Sequence, residues 1–254
     1  MSDSLFKSFT QGNCPRWRCP DCFNETLAIV PESFCKIYTA ATTRFKDDDN
    51  FGAEHAKYVF SCMLRCVRAD CQETVAVTGN GWIREDNDYD YSGQTVTTYT
   101  DYFVATTFFP ALPLFDIPAD CPEPVLDQLN EISSLMTGHP AAAANAIRSL
   151  LETLLDDLSI PREELRPGKA PRPLKLHDRL EKHKAMSGSH YDGMMALKIF
   201  GNAGSHGGSP IKQQHLEDAC AVLELLINQL YMRKPDLSFQ IERLNQAFAK
   251  KHFD

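Results

Sequence analysis

The sequence predicts an α+β protein in which a β-rich, zinc-ribbon-like part, residues 1–118, precedes a bundle of helices, residues 119–254. Two observations predict it: paired cysteines set among strand-like segments, and a change of hydrophobic period near Pro110 to Pro124. Cys19-Pro20-Asp21-Cys22 and Cys66-Val67-Arg68-Ala69-Asp70-Cys71 together supply four thiolates to one tetrahedral ion, the pattern of a structural zinc site. Reduced, partly buried thiols are the alternative reading. Cys14, Cys35 and Cys62 compete as ligands. Cys62 lies in an apolar segment, where a free buried thiol is the ordinary expectation; Cys14 stays open.

Strands are expected at Thr26–Val30, Tyr58–Phe60, Thr74–Val77 and Val96–Phe109, the last rich in Thr, Tyr, Phe and Val. Asn87 to Gly93 has the composition of a hairpin tip, Asp47 to Asn50 that of an exposed loop, and Pro31 to Phe45 room for a short helix. After Pro124 the apolar residues Val125, Leu126, Leu129, Ile132 and Leu135 recur at helical steps. Gly138-His139-Pro140 breaks that helix. A second, Ala141–Leu158, turns Ile147, Leu150, Leu151, Leu154 and Leu155 inward and stops before Pro161. Further helices are expected at Leu174–Met186, Asp192–Phe200, Gln213–Met232 and after Pro235, with Met194, Met195, Leu197 and Ile199 as core.

A net charge of -8 works against broad electrostatic attraction to nucleic acid. The local exception runs from Arg162 through Arg166, Lys169, Arg172, Lys175, Arg179 and Lys182 to Lys184, interrupted by Glu163, Glu164, Asp178 and Glu181, with Pro167–Pro173 expected as a loop. A solvated linker is the plainer reading of this run. An odd number of cysteines, nine, and no N-terminal apolar segment point to a reducing compartment, the cytoplasm by default. No apolar run approaches the ~20 residues that cross a bilayer, so no membrane partner is expected.

One segment invites a chemical reading. Met195 to His206 begins as an amphipathic helix and ends in Gly201-Asn202-Ala203-Gly204-Ser205-His206. Asn202 and His206 share a helix face if the helix persists, and a histidine there has the protonation range of a general acid or base. A helix-end histidine bonded to a backbone carbonyl is the plainer alternative. Arg148 and Glu152, four residues apart, form either an ordinary exposed pair or a partly buried one that orients the Asn202–His206 segment.

With its ribbon-like cysteines, its strands, Ala144-Asn145-Ala146-Ile147-Arg148-Ser149-Leu150-Leu151-Glu152 and Gly201-Asn202-Ala203-Gly204-Ser205-His206, the chain resembles the bacterial family called domain of unknown function 4145. The resemblance covers most of the chain and centres on Pro122 to Tyr231. It implies similarity to HEPN domains, helical bundles that dimerise and occur in restriction, toxin and phage-defence systems. A homodimer through the helical part is therefore implied. Ribonucleolytic HEPN domains place an arginine shortly before the histidine; here Ile199, Phe200 and Gly201 fill that window. Lys198 or Arg148 would have to replace the missing guanidinium. The expected function is a zinc-binding module of a defence or restriction-type system that holds RNA, DNA or a partner protein without catalysis. A metal-independent endoribonuclease using His206, Asn202 and Lys198 or Arg148 is one alternative, and a structural dimerisation subunit another.

Overall fold

The computed structural model describes residues 3–89, 91, 94–206, 210–233 and 236–248. A short helix α1 (Asp3–Phe6) leads into strands β1 (Leu27–Ile29), β2 (Cys35–Tyr38), β3 (Lys57–Cys66), β4 (Thr74–Tyr89) and β5 (Thr95–Phe109), with helix α2 (Ala40–Phe45) between β2 and β3. They form one antiparallel sheet in which β3 pairs with β4, β4 with β5, and both β1 and β2 share the other edge of β3. β3 shows why this half is a sheet with one wet face: Tyr58, Phe60, Cys62, Leu64 and Cys66 point inward, and the residues between them are exposed. The inward side chains meet an aromatic cluster, with Phe9 and Trp17 5.1 Å apart and Trp17 and Phe108 5.2 Å apart, all edge to face.

The short helix expected within Pro31–Phe45 is α2, and strand β2, which was not expected, precedes it. Cys35-Lys36-Ile37-Tyr38 finds a free edge at Tyr58–Ser61 of β3, and Thr39 then starts α2 by accepting the Thr42 amide at 3.3 Å. The β4–β5 hairpin continues to the Tyr89–Thr95 pair, and part of its expected tip lies outside the described residues.

The helical part comprises α3 (Glu123–Met136), α4 (Pro140–Asp157), α5 (Leu176–Lys182), α6 (Lys184–Ser187), α7 (Tyr191–His206), α8 (Gln213–Tyr231) and α9 (Ser238–Phe248). α3 is tied to the sheet: Thr137 Oγ1 donates to the Thr106 carbonyl at 2.8 Å and Ser133 Oγ donates to the Leu112 carbonyl. One buried core therefore runs from Phe9 and Trp17 through Leu112 and Phe115 to the inward leucines of α4 and α8. No helix among the described residues is long and apolar enough to cross a membrane.

Three expectations change here. Pro167–Pro173 is part of a two-stranded hairpin, β6 (Glu163–Arg166) and β7 (Lys169–Pro173), turned by Gly168 at φ 68°. The helix expected over Leu174–Met186 is broken at His183 into α5 and α6. Ile199 is 61% exposed, because it lies on the side of α7 turned away from Met194 and Leu197, which are buried.

α7 crosses α4 at very short range. A Cβ on Gly201 would lie 2.7 Å from Arg148 Cβ, and one on Gly204 2.5 Å from the Ala141 carbonyl. Glycine at these two positions lets the helix backbones touch. Gly201→Val is expected to cost about 1–3 kcal/mol through overpacking, outweighing the few tenths regained in helix propensity. A lower urea midpoint at constant slope would register it; an unchanged midpoint would show that the crossing yields.

Candidate metal centre and the α4–α7 crossing

The first cysteine pair precedes β1, and the second joins β3 to β4. Because β1 lies on β3 in the register Leu27 to Cys66, pairing of these strands carries the first pair onto the second. The backbone holds each turn. Cys19 N–H donates to the Asn24 carbonyl at 2.8 Å and Phe23 N–H to the Cys19 carbonyl at 3.0 Å. In the second turn, Gln72 N–H reaches the Arg68 carbonyl at 3.1 Å and Cys66 N–H the Glu73 carbonyl at 2.8 Å. Phe23 and Gln72, each directly after the second cysteine of its pair, have φ of 59° and 56°. Left-handed backbone at non-glycine residues is uncommon, and here it closes both turns alike.

The result is a compact sulfur cluster. Cys19, Cys22, Cys66 and Cys71 place their Sγ atoms within 4.8 Å of one another, with Cys19 and Cys66 buried and Cys22 and Cys71 half-buried. Two of the edges measure 3.5 Å (Cys19–Cys71) and 3.7 Å (Cys22–Cys66). A tetrahedron with ~2.3 Å metal–sulfur bonds has edges of ~3.8 Å, so the donor set fits a four-coordinate ion and is far too open for disulfides. Thr26 Oγ1 stands 3.0 Å from Cys66 Sγ, and Asn24 Nδ2 donates to the Cys22 carbonyl at 2.7 Å, so polar side chains surround the sulfurs. The backbone N–H of Asn24, above all, brings the Cys22 thiol down to about 6, whereas burial raises Cys19.

The competing cysteines stand apart from this cluster. Cys14 donates its thiol to the Pro15 carbonyl at 3.4 Å and is pushed up to about 12, chiefly by burial. Cys62 is buried on the inward face of β3, and Cys35 is exposed on β2. Sequence reasoning did not single out Asn24 or Thr26; the Asn24-Glu25-Thr26 run following the first pair was the available signal.

The α4–α7 crossing gathers the residues considered for chemistry. The helix persists through His206, so Lys198, Asn202 and His206 follow at four-residue steps; Lys198 and Asn202 are half-buried, and the His206 side chain lies outside the described residues. Arg148 abuts Gly201, next to Asn202, and its Nε is buried without a hydrogen-bond partner among the described residues. Ser205 Oγ donates to Asn145 Oδ1 from the facing helix.

Two family models match, and they divide the chain where its character changes. Residues 7–109 match a domain of unknown function (DUF8608), and residues 130–251 match a domain of unknown function (DUF4145). The helical region, residues 130–251, is a DUF4145-family region. No curated protein and no solved structure matches the chain.

Within the DUF4145 region, Arg148 and Glu152 do not pair. Glu152 instead accepts from Arg179 of α5 at 2.5 Å, and Arg179 also donates to Asp156 at 2.7 Å and to the Ile160 carbonyl at 2.7 Å. Its side chain is 1% exposed. Sequence reasoning placed Arg179 in a solvated basic run; its position between Leu176 and Leu180, on the apolar side of α5, was the signal missed. The same run is neutralised elsewhere, since Arg162 pairs with Asp156 and Lys182 donates to Glu164 at 2.5 Å.

Proposed function

We propose that the protein is a zinc-stabilised binding module in which a HEPN-like helical bundle, carried beside a ribbon-like strand edge, holds a partner protein in a bacterial defence or restriction setting. The single observation behind the zinc assignment is the near-tetrahedral spacing of four sulfurs from Cys19, Cys22, Cys66 and Cys71. Bound there, Zn2+ would supply cross-linking of two turns and no catalysis, because four thiolates leave no open coordination position. A protein partner is favoured over RNA or DNA, since Arg162, Arg179 and Lys182 are engaged by carboxylates of the chain itself and the net charge is -8. The cytoplasm is the setting that reduced thiols require. Metal analysis of the purified protein is expected to give one zinc per chain with an all-sulfur shell by X-ray absorption. Absence of metal, or a shell rich in nitrogen and oxygen, overturns the assignment.

A second reading has one observation in its favour: the Cβ of Arg148 abuts Gly201, one residue before Asn202, from the facing helix, so an arginine starts beside the segment that lacks one. In that reading His206 is the general base of a metal-independent endoribonuclease, with Asn202 and either Arg148 or Lys198 as its polar and cationic helpers. The binding-module reading expects intact RNA after incubation with wild type and His206→Ala alike, in chelator. Cleavage by wild type alone would reverse the order of the two.

A further inference from the structure

The face of the five-stranded sheet turned away from the core is not the polar surface that a solvated sheet face ordinarily presents. On β3 it carries Lys57, Val59, Ser61, Met63 and Arg65, all exposed. Val59 is 53% exposed, and Ile37, its neighbour on β2, 67%. Across the sheet from Met63, through Ala76 of β4, stands Phe109 of β5 at 78%. Apolar side chains gathered on one surface in this way mark an interaction site. Lys57 and Arg65 close the two ends of the strip, and among the described residues neither has a carboxylate partner, in a chain whose net charge is -8.

We propose that this face docks a partner protein by receiving an amphipathic helix that is apolar along its length and acidic at both ends. The inference rests on the partner-protein reading above and adds a second surface to it. The shape of the occupant follows from β3, which is paired on both edges, with β1 and β2 on one side and β4 on the other. Its backbone groups are engaged, so a segment lying on the face meets side chains only and has to satisfy its own backbone, as a helix does. The charge follows from Lys57 and Arg65, eight residues and about 26 Å apart along the strand. A helix of about 18 residues spans that distance and sets a carboxylate against each cation. Nucleic acid fits less well: the Arg84 guanidinium lies over the Tyr102 ring at 4.2 Å, which takes a stacking platform away from a base.

Site-specific photo-cross-linking in the native host tests it, with benzoylphenylalanine placed at Ser61, in the middle of the face, and in a separate protein at Leu225, exposed on α8. The Ser61 position is expected to capture a different protein, through a peptide with apolar residues at helical spacing and Asp or Glu at its ends. A synthetic copy of that peptide should bind the purified full chain. Val59→Asp, and Lys57→Glu with Arg65→Glu, should each weaken this binding at least ~10-fold, with circular dichroism unchanged, since all three positions are exposed. Capture at Leu225 without capture at Ser61 overturns this inference and leaves the partner reading in place, whereas capture at neither position removes both. Cross-linking of Ser61 to a second copy of the chain or to nucleic acid, or a peptide indifferent to the charge reversal, also overturns it.

Discussion

Replacing Cys66 with serine is expected to abolish metal binding and to unfold the strand-rich part of the chain while leaving most of the helical circular dichroism in place. Cys66 ends β3, and its Sγ faces Cys22 at 3.7 Å, so its loss opens the sulfur tetrahedron at the point where the two turns are joined. Metal binding contributes about 10–16 kcal/mol in isolated zinc-finger peptides, as much as the whole stability of an ordinary domain, about 5–15 kcal/mol. Trp17 reports the event, because it is fully buried against Phe9 and Phe108 and the chain from Trp17 to Leu27 is held to β3 beside the cluster. A red-shifted tryptophan emission and loss of amide protection across Lys57–Cys66 should accompany release of the ion. Cys14→Ser and Cys35→Ser should keep it. Retention of a full equivalent of metal by Cys66→Ser would remove that residue from the site.

The second large effect is expected from Arg179→Ala. The guanidinium is buried, and it ties α5 to two carboxylates of α4 and to the Ile160 carbonyl. Removing one side of a buried ionic network costs about 3–5 kcal/mol; Glu152 and Asp156 keep about a third of their surface in water, which places the expected loss near 3 kcal/mol. For a chain of this size that corresponds to a fall in melting temperature of about 6–12 °C. Arg179→Lys should recover only part, since an ammonium cannot reproduce the forked contacts. The effect also carries a sign with pH. Asp156 is held below the usual carboxylate range, first by hydrogen bonds from Arg162 and then by those from Arg179. A folded-state pKa below the unfolded value of ~4 means that the stabilisation is fully present above that value and disappears as pH falls through the lower, folded one. Wild type and Arg179→Ala should therefore converge in acid and separate as pH rises past ~4. A constant gap down to low pH would show that packing, and not charge, accounts for the loss.

The four cysteines were legible because ligand spacing is local and strand pairing brings the two turns together. The helices were legible for the same kind of reason: the burial of Ile147, Leu150, Leu151, Leu154 and Leu155 follows from a repeat within α4 itself. What was not legible depended on partners distant in the chain. β2 exists because β3 has an edge to offer, and its own four residues are all exposed, so no alternation marks it. Glu152 was assigned the arginine one turn away, yet it is bound by one 27 residues later. Ile199 has the composition of core and the position of surface. For His206, the sequence indicates a helix face and an asparagine neighbour, and whether a cation completes the group is a question about two helices at once.

That last point changes what the Gly201-Asn202-Ala203-Gly204-Ser205-His206 signature measures. Its glycines are required by the contact with Ala141, Ala144 and Arg148, whatever Asn202 and His206 do. A search that retrieves chains by this pattern thus selects first for a shared separation between two helices. Reaction chemistry is a separate attribute, to be scored chain by chain from the side chains that the close crossing happens to bring together.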